Sequence, residues 1–199
     1  AAGADAVIAQ GVEAGGHVRG SLPALELLER TRSALPGDFP VLLAGGLADA
    51  ADVRAALDAG AAGAVLGTRY VLSEESGAHP EYKRRAAAGE RTVLTELFGA
   101  GWPAPHRVLP NAATERWLSD GATPAWVRRL HRATAPVLAR APAGVTRVQR
   151  PWSPLLSPQP PTTGGPEGLV ESGPLYAGET VARIGDVRPA GELTRELTA

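Results

Sequence analysis

Eleven residues, Gln10-Gly11-Val12-Glu13-Ala14-Gly15-Gly16-His17-Val18-Arg19-Gly20, hold four glycines, one carboxylate, one imidazole and one guanidinium. A segment so rich in glycine has few side chains to pack. It serves tight turns, positive φ, or close approach of the main chain to something else. His17 is the side chain there suited to proton transfer near neutral pH. From the bare residues, a loop histidine with a satisfied hydrogen bond is at least as good a reading. Glu13 and Arg19 are either its partners or simply solvated. Two later turns, Gly45-Gly46 and Gly67-Thr68, have the composition of phosphate cradles. Each follows an apolar run, and Gly46 comes shortly before a predicted helix whose N–H groups and dipole suit an anion. Thr68 adds a hydroxyl donor. One glycine pair alone reads more readily as a tight turn between strand and helix; two pairs on consecutive strands favour phosphate.

Other chemistries are excluded by what is missing. The sequence contains no Gly-x-x-x-x-Gly-Lys-Ser/Thr, no Gly-x-Gly-x-x-Gly and no Gly-x-Ser-x-Gly. His17, His79, His106 and His131 lie far apart without paired-ligand spacing, so no protein-bound metal is expected. Cysteine is absent, which removes thiolate and disulfide chemistry. Arg128, Arg129 and Arg132 read as a wet helix face. Trp102, Trp117 and Trp126 read as core or interface, and Tyr176 near Gly178 as packing rather than ligand contact.

These turns need elements to hold them. Ala6 to Gln10 reads as a strand, after Gly3 as the cap of a helix ending at Ala1-Ala2. A helix is expected from about Pro23 to Leu35, with Leu25, Leu28, Arg32 and Leu35 on one face. Pro36-Gly37-Asp38 ends it. Pro40 to Ala44 is a continuous apolar run, as in a strand of a parallel sheet buried on both faces. Asp49 is an N-cap candidate for a helix over about 50–59, with Val53, Ala56 and Leu57 inward. Ala64-Val65-Leu66 is the next strand. Alternating β and α units, with the glycine turns at the strand ends, argue for a parallel sheet with helical crossovers. Beyond Thr68 the pattern loosens. We expect helix over 74–88, a strand within 92–98, a loop over 99–111, a helix over 125–133 opened by Thr123-Pro124, and a short helix after Pro189. Six of the sixteen residues from Pro151 to Pro166 are proline, which predicts an extended cover segment.

The composition fits one domain. The chain has 199 residues, 44% hydrophobic and 5% aromatic, with a formal charge of −1. It can bury a core and shows no electrostatic footprint for nucleic acid or an acidic membrane surface. No apolar run is long enough to span a bilayer, so a cytoplasmic protein is the default expectation. Methionine is absent, including from position 1. The start reads as the end of a helix, and we expect an N-terminal part of a larger protein to precede it.

Taken together, Ala9-Gln10-Gly11-Val12-Glu13-Ala14-Gly15-Gly16-His17, Leu43-Ala44-Gly45-Gly46-Leu47-Ala48-Asp49, Leu66-Gly67-Thr68-Arg69-Tyr70 and Glu74-Glu75-Ser76 resemble the nitronate monooxygenase family, formerly called 2-nitropropane dioxygenases. Thr95-Glu96-Leu97-Phe98, Gly101-Trp102-Pro103, Pro105-His106-Arg107-Val108-Leu109 and Leu175-Tyr176-Ala177-Gly178 extend the resemblance over nearly the whole chain. It is specific as a set.

The resemblance implies an α/β fold, a β/α (TIM-type) barrel here lacking its N-terminal strands, with a small mainly helical inserted region. It divides the chain into residues 1–111 of the barrel, a helical insert over 112–150, and a proline-rich cover over 151–199 that returns to the barrel. It implies FMN as cofactor, with Gln10 and Gly15 contacting the flavin, and Gly46, Val65, Leu66, Gly67 and Thr68 holding its phosphate. It makes His17 the catalytic histidine. His17 would take the proton α to a nitro group or assist the nitronate while dioxygen oxidises it. The partners would be a small nitronate or nitroalkane and dioxygen. Two alternatives stay open. One is an FMN-dependent enoyl-thioester reductase, which shares the glycine–histidine loop. The other is a catalytically silent fragment or interaction module.

Overall fold

The computed structural model describes residues 3–140 and 149–199. The helix end expected at Ala1-Ala2 lies outside them, as does the stretch 141–148 of the expected helical insert.

Strand β1 (Val7–Gln10) leads through the glycine loop to the two-residue strand β2 (Gly16–His17), then to helix α1 (Ala24–Ala34). Strand β3 (Val41–Ala44), helix α2 (Ala50–Asp58) and strand β4 (Gly63–Val65) follow. β1, β3 and β4 form a parallel sheet in the order β1-β3-β4. Its register pairs Gln10 with Ala44, and Ala44 with Val65, so three strand ends finish side by side. That is the α/β arrangement the sequence predicts, and it sets the three glycine turns next to one another.

The helices cover one face of this sheet. Ala9, Val41 and Leu43 pack with Ala24 and Leu28 of α1 and with Ala56 of α2. The expected inward faces need correction at two positions. Leu25 is 53% exposed and Leu57 45% exposed. Leu28 is buried as expected, and its buried neighbour one turn earlier in α1 is Ala24 rather than Leu25. Asp49 does cap α2. Its side chain accepts the N–H of Asp52, whose carboxylate returns to the N–H groups of Asp49 and Ala48, a reciprocal box.

After β4 comes a single helical turn, α3 (Thr68–Val71), then α4 (Pro80–Ala87) with His79 Nδ1 accepting the Glu81 N–H as its cap. The helix expected over 74–88 thus starts later than the periodicity suggests. A second, antiparallel sheet joins β2, β5 (Val93–Thr95) and β6 (His106–Val108) in the order β2-β6-β5. β6 corrects the expected 99–111 loop. Prolines on both sides hide it, but its three residues are buried between two partners.

Helix α5 (Ala112–Trp117), capped by Asn111, and α6 (Ala125–Leu138) pack on this sheet. Their cluster is Leu97, Phe98, Val108, Ala113, Val127 and Leu156. α6 runs past Ala133 and carries Pro136 within it. Its inward residues are Val127 and His131, while Trp126 is 52% exposed, contrary to expectation. Beyond the proline-rich segment 151–166 come α7 (Leu169–Ser172), a 3₁₀ turn (Glu179–Arg183) and α8 (Ala190–Leu197). Leu175, Ala177, Val181 and Ile184 of this return pack with Leu72, Tyr82 and Ala86. Arg69, itself buried, donates to the Asp186 carboxylate at 2.5 Å and to its carbonyl at 3.1 Å. Those bonds tie the C-terminal segment to the turn after β4.

Candidate functional site

A cavity of about 280 Å³ opens at the ends of the three parallel strands. Gln10, Gly15, Gly46, Val65, Gly67 and Thr68 all line it. Leu66, between two of these, is not part of the wall. Tyr176, Gly178 and Thr180 close the cavity from the C-terminal return, a side that the sequence reading left to packing.

Two glycines show why the loop has its composition. Gly15 passes so close to the return segment that a Cβ there would lie 2.7 Å from the Ala177 carbonyl carbon and from the Gly178 nitrogen. Gly46 has φ +74°, a left-handed conformation that other residues rarely adopt. The same close approach is fixed by hydrogen bonds. The Glu179 N–H donates to the Glu13 carbonyl at 3.0 Å, and the Gly178 N–H donates to Thr68 Oγ1 at 2.9 Å. Because this hydroxyl oxygen is an acceptor, its proton remains to donate to a third group.

Glu13 is structural. Both carboxylate oxygens accept the Ala24 N–H, at 3.2 and 3.0 Å, and so anchor the loop to the start of α1. Arg107, largely buried, donates twice to the Val12 carbonyl, at 3.1 and 2.8 Å, and pairs with Glu179 at 2.8 Å. The loop is therefore clamped between β6 and the return segment.

An anion at Gly46 cannot draw on α2, because Asp49 and Asp52 already occupy that helix start. Hydrogen bonding from the Asp52 N–H, with Arg183 beside it, holds the Asp49 carboxyl below the usual range. The N–H groups near Gly67-Thr68 have no such competitor, since no side chain caps α3.

His17 stands on β2 opposite His106 of β6. The two Nε2 atoms are 2.9 Å apart, and one proton lies between them. Trp102 packs on His17 with ring centroids 4.5 Å apart, and Tyr176 stacks on His106 at 5.9 Å. His17 is not in the cavity wall, but its neighbour Gly16 is, and Gln10 reaches it from within: Gln10 Nε2 donates to the His17 carbonyl at 3.0 Å. Burial, and then the Arg19 charge, push the His17 pKa below the ordinary histidine value. Burial pushes His106 further, to about 3, with the His17 charge acting in the same direction. Both rings are neutral at pH 7, so His17 has a lone pair with which to act as a base.

Sequence reasoning missed His106 as a site residue and read Trp102 as core or interface rather than as a neighbour of His17. Neither has a local signal, because both reach His17 only through the antiparallel sheet. Among the described residues, no group of three or more His, Cys, Asp or Glu is placed to hold a metal ion, and no helix is long and apolar enough to cross a membrane.

The family model for nitronate monooxygenase matches residues 1–199. A nitronate monooxygenase of Pseudomonas aeruginosa is 41% identical over 135 residues, covering 62% of this chain and 36% of that protein. Among solved structures, nitroalkane oxidase from Streptomyces ansochromogenes aligns with a TM-score of 0.67 at 34% identity, over 98% of this chain and 51% of the other. FabK from Thermotoga maritima aligns with a TM-score of 0.67 at 28% identity, over 99% and 54%. The chain thus spans between 36% and 54% of the lengths of these proteins.

Proposed function

This chain belongs to the nitronate monooxygenase family, and from that premise we propose that it carries the catalytic histidine and the phosphate side of an FMN-dependent enzyme. The reaction would oxidise alkyl nitronates, and nitroalkanes after loss of a proton, with dioxygen to carbonyl compounds and nitrite. The observation that carries this reading is convergence. Six of the seven positions expected to contact the cofactor, all but Leu66, line one cavity, and the next residue along from its wall at Gly16 is His17.

The residues present suit the group. A Cβ at Gly67 would meet no atom within 4 Å, so the turn faces open space. Thr68 has a proton to donate there, and Gly46 adds main chain with no side chain in the way. Gly46, Val65, Gly67 and Thr68 would hold the phosphate, with Leu66 setting the turn, and Gln10 and Gly15 would lie against the flavin. The bound FMN would supply the redox chemistry between nitronate and dioxygen. The chain's own share is acid–base and positional. A carbon acid beside a nitro group needs only a moderate base, and a neutral imidazole is one. Trp102 and Tyr176 flank that imidazole with apolar surface suited to an alkyl chain.

The same reading extends to architecture. Residues 1–111 would be the flavin-binding side of a β/α barrel, 112–150 its helical insert, and 151–199 the segment that returns Tyr176 and Gly178 to the cavity.

The test is reconstitution. Protein titrated with FMN should quench flavin fluorescence to a stoichiometric end point, and the complex should consume oxygen when an alkyl nitronate is added. Oxidation of NADH with an enoyl thioester, without nitronate-dependent oxygen uptake, would assign the site to the reductase alternative instead.

A further inference from the structure

The proposed base has a second imidazole on its Nε2, and that partner is unlike an ordinary active-site histidine. His106 is fully buried at the start of β6. Its register partners are His17 on one side and Thr95 on the other. Its Nε2 lies 2.9 Å from His17 Nε2. Its Nδ1 is buried and has no hydrogen-bond partner among the described residues. The contact with His106 occupies His17 Nε2, so the nitrogen His17 has left for a substrate is Nδ1, and Nδ1 is a base only if the shared proton belongs to His17 Nε2. Burial of both rings opposes a positive charge on the pair, so they share one proton as neutral partners.

We propose that His106 is the positioning residue for His17: protonated on Nδ1, it accepts the Nε2–H of His17 on its own Nε2, and so leaves His17 Nδ1 bare. A neutral imidazole has one N–H, and the hydrogen bond at one nitrogen decides which atom is the base at the other. His17 Nδ1 makes no hydrogen bond to a described protein group and is free to receive a proton. The burial of His106 makes it a poor proton sink, so it fixes the tautomer without competing for the proton. Tyr176, stacked on the other ring at 5.9 Å with an interplanar angle of 15°, holds His106 in plane. This tautomer rests on the proposed role of His17 as the base; the contact between the two rings does not.

Long-range ¹H–¹⁵N spectra of the histidine rings in the purified protein decide it without cofactor or substrate. Near neutral pH, His17, assigned by loss of its signals in His17→Gln, should show a protonated Nε2 and an unprotonated Nδ1. His106→Leu should convert His17 to a mixture of tautomers. His106→Gln, whose amide oxygen can accept the same proton, should restore the single form. A His17 protonated on Nδ1 in the unmodified protein would overturn the proposal, even if neither variant folds. So would a His17 spectrum unchanged in a folded His106→Leu. In the FMN-loaded enzyme, His106→Leu should slow oxidation of a neutral nitroalkane about tenfold, the effect of roughly one lost hydrogen bond. Oxidation of a preformed nitronate, which has no proton to lose, should change little. A protein that binds no FMN but shows the expected tautomer would sink the proposed function and leave this assignment intact.

Discussion

Gln10 donates its side-chain amide to the main-chain carbonyl of His17 at 3.0 Å, so a residue in the cavity wall fixes the backbone of the residue that carries the imidazole. The bond crosses from the parallel sheet to the antiparallel one. Gln10→Ala removes it, at a cost of about 1 kcal/mol for one partly buried hydrogen bond. The expected outcome is flavin binding weakened by roughly fivefold, read by fluorescence titration. Unchanged binding together with unchanged turnover would mean that the bond does not position the site.

Gly15 and Gly67 should respond in opposite ways. A Cβ at Gly15 would press on the main chain of Ala177 and Gly178. Gly15→Ala should therefore destabilise the fold by about 1–3 kcal/mol, visible as a lowered Tm. Gly67 sits in the right-handed region with φ −92° and has open space before its Cβ. Gly67→Leu should leave the Tm of the cofactor-free protein nearly unchanged and abolish FMN binding by filling the cavity. A Gly67→Leu protein that still binds FMN at full strength would remove this turn from the phosphate site.

Trp102 is 57% exposed yet packs its ring against His17. A half-exposed aromatic beside the proposed base is placed to meet the alkyl part of a substrate. Trp102→Ala should raise KM about fivefold for a long-chain nitronate, the loss of roughly 1 kcal/mol of aromatic contact. The KM of the shortest nitronate should move less. Equal changes for both chain lengths would assign Trp102 to packing alone.

Burial lowers the pKa of His17, His106 and His131 below the unfolded value near 6.5. Above that value both states hold these rings neutral, and the stability they contribute is fully present. Below it the unfolded chain takes up protons that the folded protein refuses, so stability falls as pH drops towards about 3, where His106 titrates. Urea midpoints should decline between about pH 7 and about pH 5, above the range in which carboxylates dominate. His106→Gln should flatten that decline. The same slope in the variant would place the proton uptake elsewhere.

The parallel half of the fold was readable because its signals are local. Pro40-Val41-Leu42-Leu43-Ala44 between a turn and two glycines can hardly be anything but a buried strand, and Asp49 with Asp52 carries its own cap. Gly46, Gly67 and Thr68 could be grouped in advance because parallel strand ends necessarily finish together, and Gln10 joined them through the family resemblance. β6 was not readable. His106-Arg107-Val108 has neither alternation nor β-branched enrichment, and it becomes a strand only because β2 and β5 pair on both sides. The partner of His17 was lost with it, since 89 residues separate the two rings in the chain. Leu25, Leu57 and Trp126 mark a different limit. Helical spacing says which residues share a face; it does not say how far round the neighbouring sheet covers that face.

The central claim is that His17 is the base and that the cavity beside it holds FMN. Oxygen uptake by the FMN-loaded His17→Asn variant, set against the unmodified enzyme with a neutral nitroalkane, tests both parts in one comparison. The account predicts that the variant binds FMN as before and loses about 10²- to 10⁴-fold in rate, the usual worth of a positioned general base. Full turnover in His17→Asn with FMN bound would contradict it.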